Sequence, residues 1–300
     1  MKHIKNFKSR RENNPPVRVR LSAADNPIDI RKDNVFKAVF TQNTPASQGA
    51  LSKLVSALIG REISIIAIAP NEPAVENTHD RQIRFDISCK AENGELVNVE
   101  MSINPDRSEP ERLEFYTGKL LISQDIRGAE RDYNDLQPAY QIAILAKNRF
   151  FDDDEVLHTF EYYDPVHGMS LNGKSRIITL ELSKFNEIIM KPAEGMSAAE
   201  RWGSFFRYLT NKAKRGKINE IIACEEGIAM ASEVLLCISR DEVERARQLS
   251  EYKYELDTQS RIVGALRKGE RRGRRKGRLE IIELLKSGKP PEEIIREHGG

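Results

Sequence analysis

The sequence has few cysteines and no long apolar run, and both absences narrow the classes of function open to it. Cys89, Cys224 and Cys237 lie far apart without a CxxC pair, and the five histidines are scattered. This spacing argues against a disulfide framework and against a zinc site, and it fits a reducing, cytoplasmic setting. The longest apolar run, residues 63–70, is far shorter than the ~20 residues of a spanning helix. The N-terminus also lacks the apolar segment of a secretory signal, so we expect no membrane association.

Charge is distributed unevenly, although the net charge of the 300 residues is only +2. Residues 1–20 contain seven lysines and arginines against one acid, and residues 261–278 contain nine against one. The body between these two segments is therefore acidic. Basic arms on an acidic body suit a protein that must stay near a polyanion. Solvated, flexible termini are the alternative explanation.

With 39% apolar and 31% charged residues, the chain can bury a substantial core in one large or two small domains. Low hydrophobicity and Pro15-Pro16 predict a mobile arm at the start of the chain. Glycine at every fourth position in 267–278 predicts a flexible linker or a marginal helix, followed by short helices at 278–286 and 291–297. The predicted segments are a basic arm at 1–26, an α/β core at 27–190, a helical extension at 191–266 and a basic tail at 267–300.

Apolar spacing predicts the elements of the first half of the core. A helix from Asp33 to about Ile59 is broken at Thr44-Pro45 and ended by Gly60. A strand at 63–69 and a hairpin follow. Ser108-Glu-Pro-Glu111 matches a capping box and predicts a helix that runs to about Arg127.

The second half continues the sheet and then becomes helical. The apolar run Ala139–Leu145 predicts a buried strand parallel to a neighbour. Residues 155–163 and 175–182 resemble a second hairpin that extends the sheet. Residues 197–266 are then predicted to be helical, beginning with a second capping box at Ser197-Ala-Ala-Glu200.

The hairpin that contains Asp86 and Glu100 carries the strongest functional signal. Apolar residues occupy the odd positions of both 83–89 and 97–103, the period of half-buried strands. Odd residues meet odd residues only if the loop is odd in length, and Glu92-Asn93-Gly94 provides a three-residue loop with glycine at the left-handed position. This register places Asp86 opposite Glu100, with Cβ atoms roughly 5 Å apart. Two carboxylates at that distance repel unless a cation or a proton lies between them.

The alternative is an ordinary solvated face. Antiparallel sheets often expose acids on their polar side, where water reduces the repulsion to a few tenths of a kcal/mol. The pattern alone favours this alternative over a metal site.

The order of helix, three strands, helix and strand, with acids on two successive strands, resembles the core of the PD-(D/E)XK nucleases. From about Pro27 to Leu266 the chain looks like the branch known as PD-(D/E)XK nuclease family transposases, the Rpn recombination-promoting nucleases. The resemblance implies a restriction-endonuclease-like αβββαβ fold with a mixed sheet, an added hairpin and a helical C-terminal region. The stretches that carry it are Asp33–Phe40, Phe85–Ser88, Val97–Met101, Arg112 with Tyr116, and Tyr140–Ile144.

By this resemblance Asp86 and Glu100 are metal ligands, joined by the main-chain carbonyl of Met101 and by waters. The expected cofactor is Mg²⁺ or another divalent cation, because phosphodiester hydrolysis needs a Lewis acid and an activated water. The third position of the motif, usually Lys or Gln, is Ser102 here. A serine is shorter and uncharged, which predicts weakened activity.

Three further residues are candidates for the site. Asp33 matches the acid of the first-helix motif of the family, although an aspartate before an apolar periodic run is also a good N-cap, which we favour. Lys37, one turn later, either meets a phosphate, pairs with an acid of the site or is solvated. Gln141 lies on the predicted buried strand, where it either positions water or completes a hydrogen-bond network.

Candidate DNA-binding residues fall in two places. Arg112, Tyr116 and Lys119 share one helix face, which either lines a substrate groove or consists of a core tyrosine between solvated cations. The basic tail either binds phosphates without regard to sequence or is a solvated, disordered segment. Its candidate residues are Arg271, Arg272, Arg274 and Arg275.

The sequence therefore predicts a metal-dependent DNA endonuclease of the recombination or mobile-element type. The alternative is a nuclease-derived protein that has lost catalysis and binds DNA or another protein, a reading that Ser102 favours. DNA is the expected partner, a homo-oligomer is compatible with the sequence, and the expected location is the cytoplasm, in association with the nucleoid.

Overall fold

A computed structural model describes residues 5–6, 19–69, 85–124, 132–171, 173–288 and 290–298. The chain divides into two compact units, Met1–Arg245 and Ala246–Gly300. In the described part of the chain, no helix is both long and apolar enough to span a membrane.

The two N-terminal helices form as predicted. Helix α1 spans Asp33–Phe40 and helix α2 spans Pro45–Ile59. Thr44 caps α2, because its side chain accepts a hydrogen bond from the Ser47 N–H, and proline occupies the first turn. Gly60, at φ 84°, ends the helix in the left-handed conformation that glycine adopts at little cost.

The strands of the described residues are β1 Lys5–Asn6, β2 Ile65–Ile68, β3 Ile87–Ala91, β4 Leu96–Ser102, β5 Ala139–Leu145, β6 Leu157–Phe160, β7 Tyr163–Asp164, β8 Met169–Ser170 and β9 Ser175–Glu181. Seven of them form a mixed sheet at the centre of the first unit, in the order β1-β2-β3-β4-β5-β9-β6. Strand β5 pairs in parallel with both β4 and β9, which confirms the predicted buried parallel strand. Strand β6 pairs antiparallel with β9, which confirms the predicted extension of the sheet. Strands β7 and β8 form a separate small hairpin.

The hairpin between β3 and β4 has the predicted register. Ser88 pairs with Asn98 and Ile87 with Val99. The main chain of residue 91 pairs with that of residue 95 (2.9 Å), which leaves a three-residue loop in which Gly94 has φ 89°. One part of the alternation is wrong: Phe85 packs with Leu120 and Ala139 rather than with the cluster that holds Ile87. The regular strand begins only at Ile87, so the alternation does not extend back to residue 85.

Helices cover both faces of the sheet. On one face α1, α2 and the later helices α4 (Ala198–Tyr208), α5 (Arg215–Cys224) and α6 (Glu226–Arg240) share one hydrophobic cluster with the sheet. Trp202 lies at its centre, with its ring 6.0 Å from that of Phe40 and 5.6 Å from that of Phe206. The predicted separation of a helical extension from the core is therefore wrong up to residue 245. Its side chains complete the core instead.

The start of α4 confirms the second capping box. The Ser197 N–H donates to Glu200 Oε2 (2.8 Å), and the Glu200 N–H donates to Ser197 Oγ (3.1 Å). The reciprocal bonds satisfy two main-chain donors that the helix leaves unpaired.

Helix α3, Glu109–Ile122, covers the other face of the sheet. The first predicted capping box is wrong, because Ser108 makes no cap bond and its hydroxyl donates to Asp106 Oδ1 instead (2.7 Å). The helix ends at Ile122, earlier than predicted, and residues 125–131 lie outside the described residues.

The predicted N-terminal arm is too long. Leu21 is buried, and its main-chain N–H and C=O bond the side-chain amide of Asn219 at 2.9 and 3.0 Å. Asp25 forms an ion pair with Arg240 (2.8 Å). Residues 19–26 thus belong to the folded unit, and the rest of the predicted arm, apart from residues 5–6, lies outside the described residues.

A long helix passes through the predicted linker. Helix α7 spans Glu242–Lys286, and α8 spans Pro291–His298. The flexible linker and a separate helix at 278–286 are therefore wrong. The alternative prediction for 267–278, a marginal helix, agrees with α7, and α8 is close to its prediction. Each glycine costs about 1 kcal/mol of helix stability, but the residues between the glycines are mostly Arg, Lys and Glu, which favour helix.

Candidate active site

Asp86 and Glu100 lie at the same end of the β3–β4 hairpin. Continued by one residue, the observed register sets Asp86 across from Glu100. The Met101 N–H donates to Asp86 Oδ2 (3.1 Å). This N–H points towards β3, where a regular strand would offer the carbonyl of Phe85. A carboxylate takes the place of that carbonyl, and β3 accordingly begins at Ile87.

The polar face of this hairpin is buried. Ser88, Asn98 and Glu100 are at most 5% exposed, because α3 packs over this side of the sheet. The interpretation as a solvated face is therefore wrong. In this environment the charges of Asp86 and Glu100 interact with little screening by water.

Asp33 and Lys37 reach Asp86 from α1. Lys37 Nζ lies 2.9 Å from Asp33 Oδ2 and 3.1 Å from Asp86 Oδ1, so that one ammonium bridges two carboxylates. The favoured interpretation of Asp33 as an N-cap is wrong, because Lys32 occupies the cap position and Asp33 is the first residue of the helix. Oδ1 of Asp33 is buried and has no hydrogen-bond partner among the described residues.

Glu100 has two partners on its own side of the site. Arg112 Nη1 lies 3.4 Å from Glu100 Oε2, and Asn98 Nδ2 donates to Glu100 Oε1 (3.0 Å). Arg112 also pairs with the buried Glu109 (2.6 Å). Among the described residues, Lys37 is thus the cation that contacts Asp86, and Arg112 is the one that contacts Glu100.

The surroundings of the two acids raise their pKa values. Burial, followed by the charges of Glu100 and Asp33, raises the pKa of Asp86 to about 8. Burial also raises the pKa of Glu100, against the opposing effects of Asn98 and Arg112. Burial disfavours the Lys37 ammonium, but the charges of Asp86 and Asp33 outweigh it and raise the pKa of Lys37.

Ser102 and Gln141 occupy the same face of the sheet as Glu100. Ser102 is buried at the end of β4. Gln141 is fully buried, and its Oε1 accepts from Asn98 Nδ2 (2.8 Å), while its Nε2 has no partner among the described residues. Asn98 therefore links Gln141 to Glu100. Sequence reasoning assigned Asn98 no role, although its position two residues before Glu100 places it on the same face.

The predicted helix face on α3 is only partly joined to the site. The guanidinium of Arg112 lies 5.7 Å from the centre of the Tyr116 ring, and that ring meets Phe85 edge to face at 5.5 Å. Lys119 lies over Phe115 instead (5.9 Å). Glu109 joins the site through Arg112, and the sequence pattern gave no signal for this beyond the incorrect capping box.

The four arginines of the tail belong to the second unit. They lie on α7 and are exposed. They are Arg271, Arg272, Arg274 and Arg275.

The donor set suits a hard divalent cation. Asp86 and Glu100 provide carboxylate oxygens, the ligands that Mg²⁺ prefers. Among the described residues Asp33 and Glu109 bring two more carboxylates close to this pair, and Lys37 and Arg112 are the cations that contact them. Within the described residues no three His, Cys, Asp or Glu side chains are grouped as a metal cluster. A metal here would therefore rely on main-chain oxygen and water for its remaining ligands.

A mixed sheet with acids at the end of a central hairpin, enclosed by helices on both faces, is a restriction-endonuclease-like fold. The family model for PD-(D/E)XK nuclease family transposases matches residues 30–265, and the chain belongs to this family. This membership indicates a nuclease-type function, in a family of enzymes that generally use divalent metals and act on DNA. Neither the curated proteins nor the solved structures gave a match.

Proposed function

We propose that this protein is a divalent-metal-dependent DNA endonuclease of the recombination type. The observation that carries the proposal is the pair of a largely buried Asp86 and a buried Glu100 at the end of the β3–β4 hairpin, in a chain that belongs to a nuclease family. Burial raises the pKa of both acids, and the charge of Glu100 raises that of Asp86 further. Such a pair is costly for a fold and has a use if a cation binds there.

In this proposal Asp86, Glu100 and the main-chain carbonyl of Met101 hold Mg²⁺. When bound, the ion supplies a Lewis acid for the phosphoryl oxygen and lowers the pKa of water. Asn98 orients the Glu100 carboxylate through its 3.0 Å hydrogen bond and is itself held by Gln141. Arg112, 37% exposed, offers its guanidinium to a phosphate at the mouth of the site.

DNA contacts outside the site come from basic surfaces. Tyr116 extends the surface that begins at Arg112, and Lys119, over Phe115, adds a cation further along α3. The exposed arginines of α7 add phosphate contacts that do not depend on sequence. The tail arginines should therefore steepen the salt dependence of DNA affinity, with a slope of about −0.9 in log K against log salt for each phosphate neutralised. Replacing Arg271, Arg272, Arg274 and Arg275 with glutamine should flatten that slope.

The test is cleavage of plasmid DNA with Mg²⁺, compared with the same reaction in EDTA. Asp86→Asn and Glu100→Gln should each abolish cleavage. Glu95→Gln is the matched control, because Glu95 is a buried acid near the opposite end of the same hairpin, paired with Arg61 (2.6 Å). Cleavage by both Asp86→Asn and Glu100→Gln at the wild-type rate would overturn the site assignment.

Ser102 favours a second candidate, a DNA-binding protein without cleavage. A buried serine replaces the Lys or Gln of the motif and offers no charge to the reacting phosphate. In that case the wild type binds DNA in a salt-dependent way but leaves the plasmid intact, and Ser102→Lys introduces cleavage. Metal-dependent cleavage by the wild type excludes this candidate.

A further inference from the structure

The site has no cation at position 102, where the family motif usually has a lysine or glutamine, but it has one at Lys37 on α1. Ser102, on β4, carries no charge at the motif position where a lysine would stabilise the charge that develops during hydrolysis. Lys37, on α1, is distant in sequence, yet its ammonium lies 3.1 Å from Asp86.

Lys37 is held in place by its surroundings. Its side chain is only 20% exposed and is fixed by Asp33 and Asp86. The helix that carries it packs through Val35, Phe36, Val39 and Phe40, all fully buried. An ammonium in this position loses little further freedom when a reaction takes place beside it.

Arg112, which contacts Glu100, is less suited to this role. Its guanidinium is already bound to Glu109 at 2.6 Å and lies on the Glu100 side of the site. Lys37 contacts Asp86 directly and bridges it to Asp33.

We propose that Lys37 is a catalytic residue that supplies from α1 the cation that Ser102 does not provide, by donating a hydrogen bond to the attacking water. This inference rests on the proposed nuclease function. The water oxygen forms the new P–O bond, and the bond from phosphorus to the leaving oxygen breaks. The proton lost by the water passes to solvent, the leaving oxygen takes a proton from solvent, and Lys37 remains protonated throughout.

The experiment is a relocation of the cation. Lys37→Met should lower the single-turnover rate of DNA cleavage about 100-fold or more. Adding Ser102→Lys to that variant should recover at least about tenfold of the rate, because the ammonium returns on the neighbouring strand. Ser102→Met in the same background is the matched control and should recover nothing. Lys53→Met removes another helical lysine, paired with Glu62 (3.3 Å) outside the site, and should cut like the wild type.

A second readout separates this role from a purely structural one. Calorimetric titration with Mg²⁺ alone should show that Lys37→Met binds the ion as tightly as the wild type or more tightly, because a competing cation is gone. Loss of Mg²⁺ binding together with failure of Ser102→Lys to restore cleavage would overturn the inference, since Lys37 would then only hold Asp86 in place. If Lys37→Met does not fold, as judged by the fluorescence of Trp202, Lys37→Gln takes its place.

Failure of the inference is distinguishable from failure of the proposed function. If the wild type cuts, Asp86→Asn does not and Lys37→Met cuts within about threefold of the wild type, the nuclease function stands and the role of Lys37 is refuted. If the wild type itself cuts nothing with Mg²⁺, both are refuted.

Discussion

Asp86→Asn should stabilise the metal-free protein in neutral and mildly alkaline solution, although it removes a residue of the candidate site. The pKa of Asp86 is raised from 3.8 to about 8 by burial and by the charges of Glu100 and Asp33. The folded protein therefore binds this proton more tightly than the unfolded chain does. The free energy of unfolding of the wild type must then fall as the pH rises from about 4 to about 8.

The size of the effect follows from the shift. One pKa unit corresponds to about 1.4 kcal/mol, so a shift of roughly four units gives a limiting difference on the order of 5 kcal/mol. The Asp86 side chain is 17% exposed, so water screens little of it. Asparagine does not titrate, and the gain in stability from Asp86→Asn should grow over the same pH interval and vanish near pH 4.

Urea unfolding in EDTA, followed by Trp202 fluorescence, measures this difference. Trp202 is the one tryptophan of the sequence and is fully buried in the first unit, so it reports on the part of the chain that holds the site. Mg²⁺ added at about pH 8 should stabilise the wild type and leave the variant unchanged, because the ion binds the ionised acid. A wild-type stability that is constant or rises between about pH 5 and 8 relative to the variant would refute the reasoning.

Three further predictions concern the fold and use the same unfolding measurement. Asp25→Asn should lower the free energy of unfolding by about 1.5–3 kcal/mol at neutral pH. Arg240 and the Ser22 N–H lower the pKa of Asp25 to about 2, so the stabilisation by Asp25 is present above pH 3.8 and lost as the pH falls through about 2. A cost of the substitution that persists in stronger acid would contradict this. Gly203→Ala should cost about 1–3 kcal/mol, because its Cβ would clash with the buried Phe185 ring, whereas Gly195→Ala, with open space, is the control and should cost less. Gly94→Ala should cost about 1–2 kcal/mol through its positive φ, whereas Gly118→Ala, in the middle of α3 with open space, should be neutral or stabilising; equal effects at both positions would refute the turn argument.

The register of the β3–β4 hairpin could be predicted from the local sequence pattern alone. Apolar alternation and a three-residue loop with Gly94 were sufficient to predict the pairing of Ser88 with Asn98, and hence the position of Asp86 across from Glu100. Both signals act between residues close in the chain, where the loop sets the register directly. The same holds for the break at Thr44 and for the capping box of α4, which depend on side chains bonding to nearby main chain.

Errors arose where two local interpretations competed. Asp33 had the sequence position of an N-cap, but its carboxylate bonds Lys37 within the helix. Ser108 had the spacing of a capping box, but Asp106 offered its hydroxyl a nearer acceptor. The glycines of 267–278 lowered helix propensity without ending α7, because the intervening residues favour helix.

By itself, the sequence determined the order of elements, the hairpin register and the placement of two acids on one face, because each follows from periodicity or loop length. Only the tertiary structure decided that this face is buried under α3, that Lys37 bridges Asp33 and Asp86, and that Asn98 connects Glu100 to Gln141. These contacts join residues distant in the chain or on separate elements, and no local spacing encodes them. Burial by those distant elements is also what raises the pKa of both acids, and it makes the pair chemically distinct from two acids on a solvated sheet.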